Sequence, residues 1–244
     1  MTALLITFFS GIFFFFGSLI AMFSKRKKGI IDFSIGMAFI VMILLLALDI
    51  VPEAFELLGA KKYFFYIFVI MGIILLKLID IMIPHHSHHE NKNQHEKHLR
   101  HISIISTVAL IIHNAIEGIA VYNIALNDTK TGFIMALAVG LHNIPFGIEI
   151  TAALIESKKS KKYIITSIIA LTLSTILGAS IMMAYGNINN FVLGGLMSLT
   201  VGMIIYLIIF ELLVEIIDSK NKKTSVIGFI SGLIIIILTT IIGG

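Results

Sequence analysis

The stretch "IISTVALIIHNAIEGIAVYNIAL", residues 104–126, is long and apolar enough to cross a bilayer, yet it carries His113, Asn114 and Glu117 near its middle. A second His-Asn pair opens "HNIPFGIE" at His142 and Asn143, inside another apolar run. Ionisable groups are costly in hydrocarbon, so they mark ion or substrate pathways more often than ordinary packing. A single such histidine could serve only as an interhelical hydrogen-bond partner. Two, with a carboxylate at the same level, point to a site.

Composition supports a membrane reading. The chain has 244 residues, of which 58% are hydrophobic and only 13% charged, with a mean hydropathy of +1.02. Soluble domains carry about 25% charged residues. There is no cysteine, so disulfides and thiolate metal sites are excluded, and any metal must be held by His, Met, Asn or carboxylates. The net charge of +4 is not a nucleic-acid footprint, because the lysines fall in short runs between apolar segments.

Eight apolar stretches can be laid along the chain, at about 3–23, 32–52, 63–83, 104–126, 132–155, 164–185, 191–214 and 225–242. The fold class expected is therefore all-α: one polytopic transmembrane domain over 1–244. The first stretch is expected to be an uncleaved span, since its basic cluster follows the apolar run instead of preceding it. The loops after spans one, three, five and seven hold fourteen Lys and Arg residues, and the alternate loops hold Lys61, Lys62 and Lys130. The positive-inside rule then puts the basic loops in the cytoplasm and both termini outside the cell. Lys77 and Asp80, three apart on one span, are expected to form an intramembrane ion pair.

Depth bookkeeping brings the polar residues together. His113 lies nine residues above the start of its span and His142 ten below the start of the next, about 14 and 15 Å into the membrane at 1.5 Å per residue. Glu117 is one turn from His113 on the same face. Met42 reaches a similar level in the second span, although a lone Met in an apolar helix is usually filler. Together these residues suit a borderline-soft divalent metal. Asp49 and Glu53 toward the outer end, with Glu149, Glu211 and Glu215 toward the inner end, extend an acidic ladder through the chain. Glu53, Glu156 and Glu215 read equally well as solvated helix ends.

The loop at about 84–103 contains "HHSHHENKNQHEKHLRH", with His85, His86, His88, His89, His95, His98 and His101. It is polar and lacks hydrophobic periodicity, so a flexible cytoplasmic tract that collects or senses metal at many weak sites is expected.

These residues match a known pattern. The chain resembles the Zrt/Irt-like (ZIP) metal transporters over nearly its whole length. The resemblance rests on eight spans, a His-rich loop between spans three and four, "HNAIEG" and "HNIPFG" against the family's HNxPEG, and "GMIIYLIIFELLVE" against its GAMLYVVxHELIPE. "FSIGMAFIVMILLLALDIVPE" in the second span belongs to the same pattern. It implies a first metal site of Met42, His113, Glu117 and His142, and places Asn114 and Asn143 at ligands of an adjacent second site. Phe146 stands where the family has a bridging Glu, Thr175 where many members have Glu, Ile116 where proline is usual, and Phe210 where a His is common. The second site is thereby nearly stripped of charge.

The function expected is uptake of a divalent metal into the cytoplasm. Zn²⁺ is the first choice, and Fe²⁺, Mn²⁺ and Cd²⁺ are open. The metal is substrate, with no cofactor, and the cell membrane is the expected location, the inner membrane if the source is a bacterium. The partners are the metal ions and the lipid bilayer; whether the chain works as a homodimer is open. No phosphate-cradling Gly-rich motif indicates ATP use. Two rivals from other classes are an intramembrane metal-dependent hydrolase, not favoured because a His-Glu-x-x-His helix is missing, and a metal sensor that binds without transport.

Overall fold

Polar side chains at the loop ends start several helices. Asp128 accepts hydrogen bonds from the Lys130 amide at 2.9 Å and the Thr131 hydroxyl at 2.5 Å, Ser160 from the Tyr163 amide, and Asn189 from the Val192 amide. Each satisfies an amide that the first helical turn leaves without a partner. The Thr131 hydroxyl and the Lys130 amide hold the Asp128 carboxyl below the ordinary carboxylate range.

The computed structural model describes residues 1–24, 27–82, 94–186, 188–219 and 221–243, with only the backbone of 27–28, 94–98 and 243. Eight helices are long and apolar enough to span a bilayer: α1 (Thr2–Phe23), α2 (Gly29–Lys61), α3 (Phe64–Met82), α4 (Leu99–Asn127), α5 (Thr129–Glu156), α6 (Lys161–Tyr185), α7 (Asn190–Asp218) and α8 (Lys222–Ile242). No strand occurs among the described residues. The all-α, eight-span expectation holds.

The helices fall into two sets. In one, α1 packs on α5 and α6, and α4 on α5, α6 and α1; in the other, α2 packs on α8 and α7, and α3 on α7. The sets meet chiefly where α5 lies against α2 and α8. The central helix is α4, with 72% of its apolar window buried, against 17% for α3. Helix α3 turns Tyr66, Ile67, Ile70, Ile74 and Leu78 outward, as a lipid-facing surface requires.

Glycine joins each helix to a partner in its own set. A Cβ on Gly118 of α4 would lie 2.1 Å from the Thr175 carbonyl oxygen of α6, and one on Gly178 of α6 would lie 1.8 Å from that of Ala115 of α4. The same reciprocal arrangement ties Gly17 to Ile144 and Gly147 to Phe14 (α1 with α5), Gly72 to Leu199 and Gly202 to Val69 (α3 with α7), and Gly36 to Ser225 and Gly228 to Phe33 (α2 with α8). Small residues that let backbones touch are the usual means of association in lipid, where apolar burial gives little advantage.

Several boundaries differ from the sequence expectation. Helix α2 continues past residue 52 to Leu58 through a π turn at Leu46–Ile50, where Pro52 has no N–H to give. A second π turn, Leu207–Leu212, lies in α7, which runs on to Asp218. The helix containing α4 begins at Gln94, so 94–103 is helical where a flexible tract was expected. The π turns carry Asp49 and Glu211.

The glycine contacts generate a stability prediction. Gly118→Val and Gly178→Val each force a side chain into a neighbouring backbone and should destabilise by about 3 kcal/mol or more. Gly59→Ala, at φ 51° and ψ −121° but with nothing within 4 Å of its Cβ, should lose only the backbone strain of that conformation, about 1–3 kcal/mol. Thermal unfolding in detergent distinguishes the two, and equal losses would refute the packing argument.

Candidate metal centre

Helices α4 and α5 are joined by the single residue Asp128, so they run antiparallel side by side. This hairpin brings His113 and Glu117 of α4 to His142 of α5. Glu117 Oε1 lies 3.2 Å from His113 Nε2 and 3.2 Å from His142 Nε2, and all three side chains are buried. Their ligand atoms all fall within 4.8 Å of one another. The His142 contact has hydrogen-bond geometry, whereas His113 Nε2 and Glu117 Oε2 have no hydrogen-bond partner.

The geometry fits a small divalent cation. A tetrahedral site with bonds of 2.0–2.1 Å separates its ligand atoms by about 3.4 Å. Two of the three spacings here are close to that value. Buried polar atoms normally find partners, so orphaned ligand atoms converging on one point need an explanation, and a cation supplies one. Met42 is fully buried on α2, a helix that packs against α5, and its sulfur is a further candidate donor.

The neighbouring polar residues carry no charge. Both side-chain polar atoms of Asn114 are buried without partners, and Asn143 donates only a long 3.4 Å hydrogen bond to the Ser10 carbonyl. Thr175 is fully buried against Gly118 of α4 and Gly11 of α1. Phe146 is fully buried with its ring 6.3 Å from that of His142. An aromatic ring therefore fills space beside the centre where a carboxylate would have added charge.

The remaining acids lie on either side. Asp49 is exposed, and its charge acts on His142 and Glu117; Glu53 reaches Glu117 and Asp49 in the same way. At the opposite end of the bundle Asp80, His101 and Glu211 form a second group with ligand atoms within 4.8 Å. Asp80 pairs with His101 and accepts the Tyr206 hydroxyl at 2.5 Å, while His101 lies 4.0 Å from Glu211. Sequence reasoning missed this cluster. Among the described residues Asp80 does not pair with Lys77, because His101 and Tyr206 occupy its two oxygens. His101 is accordingly a helix residue facing α3 and α7, and not a loop ligand. The depth argument used for His113 and His142 would have grouped Asp80, His101 and Glu211 at one membrane boundary. Glu215 is buried, contrary to a solvated-end reading. His85, His86, His88 and His89, and the side chains of His95 and His98, lie outside the described residues.

The profile of the family described as ZIP zinc transporters matches residues 85–240, more than half of the chain. The chain belongs to that family. It is also similar to the zinc transporter ZupT of Streptococcus mutans serotype c, 29% identical over 258 aligned residues that cover 99% of this chain and 97% of that protein. This ZIP chain is thus a divalent metal transporter and a multi-pass cell-membrane protein, and the comparisons point away from an enzyme.

Removing the ligands tests the centre. His113→Ala and Glu117→Ala should each abolish metal flux, because each removes one of the three ligand residues that group here among the described residues. His142→Ala and Met42→Ala should weaken flux and alter the choice among metals, since imidazole and thioether donors favour Zn²⁺ and Cd²⁺ over Mn²⁺. Normal flux through a well-inserted His113→Ala/Glu117→Ala double variant would refute the assignment.

Proposed function

We propose that this chain carries divalent metal, Zn²⁺ foremost, into the cytoplasm through one centre made by His113, Glu117 and His142, with Met42 as a further donor. The convergence of three buried ligand atoms within 4.8 Å, two of the spacings at 3.2 Å and so close to those of a tetrahedral site, carries the reading. Two imidazoles, a carboxylate and a thioether suit Zn²⁺, and Fe²⁺, Mn²⁺ and Cd²⁺ are the competitors to test.

The Lys and Arg asymmetry supports termini outside the cell and the basic loops within. On that orientation Asp49 and Glu53 receive metal from outside, and Glu211 with Asp80 and His101 lies on the inner side. The His-rich stretch from His85 gathers metal beside the exit. Alternating access follows from the two helix sets, which hold together internally through glycine and can rock against each other around α5. Initial-rate flux in proteoliposomes across a panel of metals tests the reading. Binding without flux would instead favour a receptor.

Charge sets the stoichiometry. A divalent ion beside the single carboxylate Glu117 leaves the centre with about one net positive charge, and two such ions would leave about three, which a low-dielectric site does not tolerate. Asn114, Asn143 and Thr175 supply only neutral oxygens. One metal is expected at the centre of a protein lacking 85–93, measured by elemental analysis and anomalous scattering. Phe146→Glu should tighten binding, and Phe146→Glu with Thr175→Glu should admit a second ion beside Asn114 and Asn143. Two adjacent metals in the unsubstituted centre would contradict this account.

A further inference from the structure

Three helices meet at the second polar group. Asp80 comes from α3, His101 from α4 and Glu211 from the π turn of α7, and one ligand atom of each lies within 4.8 Å of the others. His101 Nε2 contacts Asp80 Oδ1 and lies 4.0 Å from Glu211 Oε1. The other oxygen of Asp80 accepts the Tyr206 hydroxyl at 2.5 Å, which fixes the carboxylate with Oδ1 toward His101. Glu211 is 4% exposed, and its Oε2 has no hydrogen-bond partner among the described residues. A buried carboxylate oxygen left without a partner is costly, and a shared cation removes the cost. Asp80 and His101 keep 16% and 13% of their side chains exposed, so the group is open to an ion at this end of the bundle.

The donor set separates this group from the candidate centre. One imidazole and two carboxylates suit Zn²⁺, and Tyr206 supplies the outer hydrogen bond that ligating carboxylates commonly receive. Two carboxylates balance the charge of a divalent ion, whereas Glu117 alone leaves about one positive charge on the centre. A charge-balanced chelate holds its ion and is a poor waypoint for rapid release. Its position gives that retention a consequence. His101 belongs to the helix set of α1, α4, α5 and α6, and Asp80 and Glu211 to the set of α2, α3, α7 and α8. An ion held by all three side chains ties the sets together, and any movement that parts them must break a metal bond. A ligand that binds one arrangement better than another shifts the population toward it.

We propose that Asp80, His101 and Glu211 form an inhibitory divalent-cation site, which locks the two helix sets together when metal accumulates on the side of the basic loops. The inference rests on the alternating-access reading above, and two of its three tests need no transport.

The first two use full-length protein carrying His113→Ala and Glu117→Ala, so that the candidate centre is disabled. Crystals grown with Cd²⁺ should show an anomalous peak among Asp80, His101 and Glu211. His101→Gln keeps a hydrogen-bond donor for Asp80 but is a poor metal ligand, and it should remove the peak. Glu211→Gln is a second variant with the same expectation. The chain has no cysteine, so spin labels carried by Met82→Cys on α3 and Lys161→Cys on α6 report the separation of the sets. Zn²⁺ should collapse the label distances to one narrow population, and His101→Gln should abolish that response.

The third uses proteoliposomes whose basic loops face the lumen, with the candidate centre intact. Trapped Zn²⁺ should slow Cd²⁺ entry about tenfold in the unsubstituted protein, and about twofold or less in His101→Gln. A structural role alone would lower the Tm of His101→Gln while leaving its response to Zn²⁺ intact. That result, a missing peak, or label distances indifferent to Zn²⁺ overturns the site. Absence of flux in the unsubstituted protein is a failure of the transport reading instead, and the peak and the label distances still decide the site.

Discussion

Backbone-to-backbone contact through glycine is the constraint on which this protein depends. Each of the eight helices meets one partner at reciprocal glycines, and every such pair lies within one of the two helix sets. In lipid there is little gain from burying apolar side chains, so close approach and dispersion must supply cohesion. Gly118 directly follows Glu117, and Gly147 directly follows Phe146. The residues that let α4 touch α6 and α5 touch α1 are therefore adjacent to positions at the candidate metal centre, Glu117 within it and Phe146 beside His142. Packing and ligand geometry are set at the same level of the bundle.

Between the two sets the character of the contacts changes. Asp80 of α3 and Glu211 of α7 meet His101 of α4 through polar groups, and Asp80 also accepts the Tyr206 hydroxyl of α7 within its own set. Polar contacts that can exchange partners with a cation or a proton suit a boundary that moves. Glycine contacts, which admit no added atom, suit halves that stay rigid. The polar contacts between the sets thus differ in kind from the glycine contacts within them.

The π turns at Leu46–Ile50 and Leu207–Leu212 fit the same division. Each adds a residue to a helical turn and so rotates the acids it carries relative to a regular helix. One carries Asp49, near Glu117 and His142, and the other carries Glu211, near Asp80. Pro52 gives a local reason for the first, and α7 has no proline to explain the second.

Much of the architecture was legible in the sequence, because a bilayer demands long apolar helices and repels charge. Hydropathy alone marked eight spans, and counting residues from their ends put His113, Glu117 and His142 at one depth. Lateral neighbours were not legible. Depth along a helix follows from a fixed rise per residue, but which helices touch depends on surface shape, here on glycines meeting carbonyls far away in the chain. For that reason Asp80 was paired with nearby Lys77 in sequence, while the folded chain gives it to His101 and Tyr206. Glu215 resembled a solvated helix end and is buried. The sequence by itself determined the spans, their number and the level of the polar groups, because these follow from local composition. Only the tertiary structure decided which polar groups share a site, because that is a property of helix contacts that no local pattern encodes.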